Sequence, residues 1–209
     1  LPGRGPVRTG VTAILPRGRD PAWRPLWAGF HAFNGNGEMT GVHWIREGGW
    51  LAGPILLTNT HGVGIAHHAA VRWMLRTHAA AFEEAHRWAM PVVAETYDGV
   101  LNDINGLHLT EAHVLEALDR AEGGPVAEGS AGGGTGMIAY EFKAGTGTAS
   151  RRVRAGGLEG ILGVLVQANH GRRPDLQVLG VPVGRHLVEN RLFGPEAGSI
   201  IVVVATDLP

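Results

Sequence analysis

The chain has 209 residues, of which 44% are apolar and 18% charged, with a formal net charge of −1 and no cysteine. That length suits one domain with a sizeable core, and the charge balance offers no basic face to nucleic acid or anionic lipid. Disulfides, zinc–thiolate sites and cysteine nucleophiles are excluded, and no apolar run approaches the ~18 residues that span a bilayer.

Glycine is in excess, at 33 residues against an average near ~7%. The glycines follow no triplet period and predict tight turns and close backbone approach in a mixed α+β domain. In chain order, TGVTAILP (Thr9 to Pro16) predicts a strand ended by proline. The proline-bearing stretch RGRDPAWRPLWAGFHAF is irregular and leads into NGNGEMTG, where paired Asn-Gly steps signal turns. GPILLTNTHGVG predicts a short apolar strand running into a turn. The alanine-rich stretch after it spaces Ile65, Ala69 and Trp73 as a helix from about Gly64 to Thr77.

MPVVAETYDG reads as a second apolar strand. LTEAHVLEALDRAEGG predicts a helix with Thr110 as N-cap, Val114, Leu115 and Leu118 as the buried stripe, and Gly123 as the stop. EGSAGGGTGM is a glycine-rich loop. It lacks the lysine of a phosphate-binding loop and the frame of a dinucleotide fingerprint, so a tight turn against other main chain is its default reading. MIAYEFKAGTGTASRRV predicts a strand and hairpin edge. LEGILGVLVQANHG is the strongest interior strand, and IIVVVA near the end reads as a buried strand.

Of the chemistry-bearing residues, His61, His67, His68, His78 and His86 show no metal-ligand spacing. His67 and His68 are adjacent and point about 100° apart on a helix. The strand ending in Glu95, Thr96, Tyr97 and Asp98 puts Glu95 and Tyr97 on one side. There they could hold a cationic group and donate to a developing oxyanion, or simply form a polar, capped turn. GVLVQANHG carries Asn169, an ordinary turn residue and also a type of oxyanion donor. In AGSIIVVVA, Ser199 can merely open a strand. If the Gly198–Ser199 peptide breaks, Ser199 becomes N-terminal, with its hydroxyl as nucleophile and its α-amine, of pKa near ~8, as base.

FNGNGEMTG, GPILLTNTHGVG, VVAETYDGVLNDING, EGSAGGGTGMIAYEFKAGTGTASR, GVLVQANHG and AGSIIVVVATD, taken together and in order, resemble the L-aminopeptidase/D-esterase (DmpA-type) family. These are self-processing N-terminal-nucleophile serine peptidases, which include the β-peptidyl aminopeptidases. The resemblance implies a DmpA/ArgJ-like αββα sandwich and cleavage between Gly198 and Ser199. It implies Ser199 as nucleophile, Asn169 and Tyr97 at the reacting carbonyl, and Glu95 on the substrate's free amine. No cofactor or metal is implied. Residues 1–198 would be the α-chain part of a single catalytic domain and 199–209 the first strand of the β chain.

The expected substrates are short peptides, amides or esters, and the expected assembly is a homo-oligomer of αβ units without nucleic acid or membrane, in the cytoplasm. Gly198 looks closer to the aminopeptidase/D-esterase branch than to the β-peptidyl branch, which often has asparagine there. Against the family pattern the chain reads as truncated at both ends, which leaves a non-catalytic binding subunit as the competing reading. An acyltransferase of the same fold would use threonine, and Ser199 argues against it.

Overall fold

A computed structural model describes residues 6–20, 22–84, 86–192 and 198–208. The strands are β1 (Thr12–Ile14), β2 (Leu26–Trp27), β3 (Trp50–Leu51), β4 (Ile55–Asn59), β5 (Val92–Thr96), β6 (Ile138–Ala139), β7 (Phe142–Lys143), β8 (Thr146–Ala155), β9 (Leu158–Asn169) and β10 (Ser199–Thr206). The helices are α1 (Val42–Gly48), α2 (Val63–Thr77), α3 (Ala79–Glu84) and α4 (Glu111–Asp119).

Two three-stranded sheets organise the chain, in the orders β1-β4-β5 and β10-β9-β8. β4 and β5 are parallel, so the chain must cross over between them, and α2 and α3 make that crossing. On α2, Ala66, Ala69, Ala70, Trp73 and Met74 are buried at helical spacing. They pack on Leu56 of β4 and Val93 of β5, together with Val114 and Leu118 of α4. Asp119 at the end of α4 accepts hydrogen bonds from the Trp73 indole N–H, at 2.9 Å, and from Arg76, which joins the two helices.

α4 begins as its sequence predicts. Thr110 is the N-cap of a capping box completed by His113, so two orphan backbone donors are satisfied reciprocally. It ends at Asp119, short of Gly123, because the buried stripe is complete at Leu118. α2 matches its expected span and α3 prolongs it after a break at His78. α1 was not legible. It is a single short segment between Gly41 and Gly49, both in the left-handed region, and it is too short to show periodicity.

The second sheet is antiparallel throughout. β8 and β9 form a long hairpin closed by Gly156 and Gly157, both at positive φ, as a two-residue turn matched to strand twist requires. β10 pairs with β9 from Ser199 opposite Asn169 to Thr206 opposite Leu162. It is not buried on both sides: Ile200, Val202 and Val204 are exposed while Ile201 and Val203 alternate inward. β9 meets the first sheet through the fully buried Gln167, whose amide N–H donates to the Thr58 carbonyl and the Thr96 hydroxyl.

The glycine-rich loop is the 3-10 turn Gly132–Gly136, wedged where the two sheets meet. A Cβ on Gly133 would lie 2.2 Å from Gln167 Oε1, and one on Gly136 would lie 2.1 Å from the Arg8 carbonyl. Close backbone approach, and not phosphate binding, therefore accounts for these glycines. Among the described residues, no helix is long and apolar enough to cross a membrane.

Candidate active site

The C-terminal ends of β4 and β5 open onto one cleft of about 280 Å³. Being parallel, these strands deliver Thr60, Glu95 and Tyr97 to the same edge, where open sheets place functional groups. The second sheet supplies the opposite wall through Asn169 at the end of β9 and Ser199 at the start of β10. All four side chains expected to act together, Ser199, Asn169, Tyr97 and Glu95, line this cleft, and Gly198 borders it.

Asn169 is held in one orientation. Its Oδ1 accepts the Ile138 backbone N–H at 3.0 Å. A backbone N–H can only donate, so the atom facing it must be the amide oxygen. The NH2 group therefore points the other way. It donates to the Tyr97 carbonyl at 2.9 Å and lies 3.4 Å from Ser199 Oγ. One side chain thus ties together β6, β10 and the residue after β5, and leaves a donor beside the serine hydroxyl.

Glu95 is 8% exposed, yet its carboxylate faces the cleft. Its oxygens accept the Glu38 N–H at 3.0 Å and the Thr60 hydroxyl. Both donors are uncharged, and among the described residues no ion pair reaches Glu95. A buried carboxylate with only neutral donors retains a favourable interaction for a cation. Gly37 is needed for this arrangement: a Cβ there would approach Glu95 Oε1 to 2.8 Å. Tyr97 is 49% exposed and lines the cleft, with its ring over Gly99, where a Cβ would lie 2.3 Å from the phenol oxygen, while its main chain is fixed by Asn169.

At Gly198, a Cβ would lie 2.0 Å from the Asn169 carbonyl oxygen. The residue before Ser199 must therefore lack a side chain so that the chain can run against β9.

Beneath the cleft, Asp98 is 1% exposed and receives an Asn102 N–H at 3.1 Å. Burial pushes its carboxyl above the usual aspartate range, against the lowering effect of its hydrogen bonds. The histidines stay apart. His78 lies against the rings of Trp23 and Trp73, and His61 Nδ1 is 3.3 Å from the Ile104 carbonyl. Among the described residues, no group of three His, Asp or Glu is placed to hold a metal ion. The supports of the site were not visible in sequence: Thr60 and the main-chain N–H groups of Glu38 and Ile138.

Comparison with known proteins shows the family of the chain. Residues 2–209 match the model of peptidase family S58. The chain is 49% identical over 222 residues to the β-peptidyl aminopeptidase BapA of Sphingosinicella microcystinivorans, an overlap of 99% of this chain and 54% of that protein. Among solved structures, it aligns with the L-aminopeptidase D-Ala-esterase/amidase of Ochrobactrum anthropi at a TM-score of 0.91 and 55% identity, covering 100% of this chain and 58% of that one. A Burkholderia sp. β-aminopeptidase aligns at a TM-score of 0.82 and 50% identity, over 98% of this chain and 56% of the other. The chain thus spans little more than half the length of the relatives it matches. The Ochrobactrum structure is described as a new variant of the Ntn hydrolase fold, and with a match along nearly all of its residues the present chain belongs to peptidase family S58.

Proposed function

We propose that the full-length protein is a self-processing serine aminopeptidase that releases N-terminal residues from short peptides, amides or esters. The observation that carries this reading is the pinned Asn169 amide 3.4 Å from Ser199 Oγ, in a cleft shared with Glu95 and Tyr97.

In self-processing, Ser199 Oγ attacks the Gly198 carbonyl carbon. The C–N bond breaks, the hydroxyl proton passes to the departing nitrogen, and a Gly198–Ser199 ester remains. Water hydrolyses that ester, leaving a Gly198 carboxylate and a free Ser199 α-amine. With a pKa near ~8, that amine then takes the hydroxyl proton when Ser199 attacks a substrate carbonyl. Asn169 Nδ2 and the Tyr97 phenol donate to the oxyanion. Glu95 holds the substrate's ammonium group, which restricts the enzyme to free N-termini. The acyl-serine ester is hydrolysed in turn. Residues 1–198 are then the α chain of one catalytic domain, and Ser199 begins the β chain.

The αββα sandwich is the architecture this reading expects, and the layering supports it. α2 and α4 cover one face of the β1-β4-β5 sheet, and β9 reaches its other face through Gln167. The outer face of the second sheet presents Val164, Val166, Ile200, Val202 and Val204, an apolar surface suited to a second helical layer. Assembly of αβ units into a homo-oligomer and a cytoplasmic location complete the proposal. The 49% identity to a β-peptidyl aminopeptidase supports a second reading, in which β-amino acids occupy the same ammonium site.

Intact-mass measurement of the full-length protein tests the reading. Two chains joined at Gly198–Ser199 in the precursor are expected for wild type, and one chain for Ser199→Ala. An uncleaved wild type with full peptidase activity overturns it.

A further inference from the structure

The cleft has a second carboxylate, Glu141, which neither Ser199 nor a substrate ammonium requires. Glu141 and Tyr140 form the two-residue turn between β6 and β7, and both lie in the left-handed region, at φ 66° and 51°. Such hairpin turns favour Asn and Gly because ordinary side chains are strained there. Strain of this kind persists where the surroundings over-determine the conformation, and the turn is over-determined. Tyr140 N–H donates to the His170 carbonyl at 2.8 Å, and its ring packs edge-on against the His170 ring.

The turn brings the Glu141 carboxylate to Arg173. Both residues are almost fully buried, 8% and 5% exposed, and their charged groups approach to 3.6 Å. Arg173 also lies 4.6 Å over the Phe142 ring. A buried ion pair is poor evidence for stability in its own right, so its other contacts decide what it does. They converge on one segment. Glu141 accepts the Leu192 N–H at 2.7 Å. Arg173 donates to the Asn190 carbonyl at 3.2 Å and to the Glu189 carbonyl. Three backbone groups within four residues are therefore gripped by one buried pair. Leu192 precedes Gly198 by six positions, and six residues reach about 20 Å at most.

We infer that Glu141 and Arg173 form a clamp that anchors Glu189–Leu192, upstream of Gly198, and so limits where the Gly198 carbonyl can lie relative to Ser199 Oγ during self-cleavage. The inference rests on the self-processing reading above. The clamp's two residues are positioning residues: they hold main chain on the acyl side of the broken bond and touch none of the reacting atoms. Because a free substrate has no such tether, the clamp governs processing and not turnover.

The test follows conversion of the full-length precursor to two chains by intact mass over time, for wild type, Ser199→Ala, Arg173→Lys and Leu192→Pro. Arg173→Lys keeps the charge opposite Glu141 but loses the fork that reaches Glu189 and Asn190. Leu192→Pro deletes the N–H that Glu141 accepts, at a half-exposed position, and leaves the buried pair whole. Both are expected to slow conversion roughly 10- to 100-fold, the cost of small misplacement at a reacting centre. The two-chain form of Arg173→Lys, once isolated, should keep kcat and KM within about twofold of wild type. Wild-type conversion rates in both variants overturn the clamp. So does slowing by Arg173→Lys with Leu192→Pro at the wild-type rate, since the pair would then act through the fold and not through the segment. A wild type that stays a single chain, or a Ser199→Ala that cleaves, removes the self-processing reading and the clamp with it.

Discussion

The two sheets carry similar residues in different circumstances. In the β1-β4-β5 sheet, Leu56 and Val93 are fully buried under α2 and α4. In the β10-β9-β8 sheet, Val202 and Val204 stand half exposed or more, although the run Ile200–Ala205 is more continuously apolar than either buried strand. Composition proposes burial, and the covering layer decides it. The site lies where the well-covered sheet meets the half-covered one: Glu95 and Tyr97 come from the first, Asn169 and Ser199 from the second. The first sheet forms the floor of the cleft, and the second brings Ser199, the proposed nucleophile, to it.

The most severe way to break this division is at the proposed nucleophile. Ser199→Ala should remove self-processing and lower peptidase kcat by at least about 10⁴-fold, measured on the full-length protein with an aminoacyl p-nitroanilide. Next comes the junction itself. Asn169→Asp keeps an oxygen for the Ile138 N–H but loses the donor to Tyr97 and Ser199. It should lower kcat by roughly 10²- to 10³-fold, the cost of one oxyanion donor, with the fold retained by circular dichroism. An unchanged kcat would show that the amide acts only as a strut.

Substitution of one residue in each sheet sharpens the comparison. In this 209-residue chain, Leu56→Ala should destabilise by about 2–5 kcal/mol, because it opens a cavity in the core under α2. Val202→Thr should stay within about 0.5 kcal/mol, as at an exposed position. Urea titration of both variants checks the pair, and equal losses would mean that the outer face of the second sheet is covered in solution.

The smallest effect concerns Asp98. Burial raises its carboxyl pKa in the folded state, so the folded chain holds the proton to higher pH than the unfolded chain. Its contribution to stability is present below the ordinary aspartate value of about 3.9 and is lost as pH rises through the raised value. Asp98→Asn keeps an acceptor for Asn102 and should flatten the fall in melting temperature above about pH 4. Parallel curves for wild type and variant would contradict this.

How much was legible follows the same physical line. α2 and α4 were visible because one face of each is buried, and burial writes a 3.6-residue period into sequence. Ser199, Asn169, Tyr97 and Glu95 were visible because each stands at the polar tip of an apolar strand, in segments that resemble one family in order. What was hidden is main chain. The donors that fix Glu95 and Asn169 are the N–H groups of Glu38 and Ile138, which any residue but proline supplies. Glycine at 198 is required by contact with the Asn169 carbonyl, a long-range approach that no local pattern encodes. The Glu141–Arg173 pair was hidden for the same reason, since 32 positions separate its members.

The central claim is that Ser199 reacts as an N-terminal residue. The direct measurement is mass-spectrometric mapping of the full-length protein after brief reaction with an amino acid p-nitrophenyl ester and acid quenching. The account predicts an acyl group on the hydroxyl of a peptide that begins at Ser199 with a free α-amine. An active protein whose acyl group lies on another residue, or on a Ser199 still joined to Gly198, would contradict it.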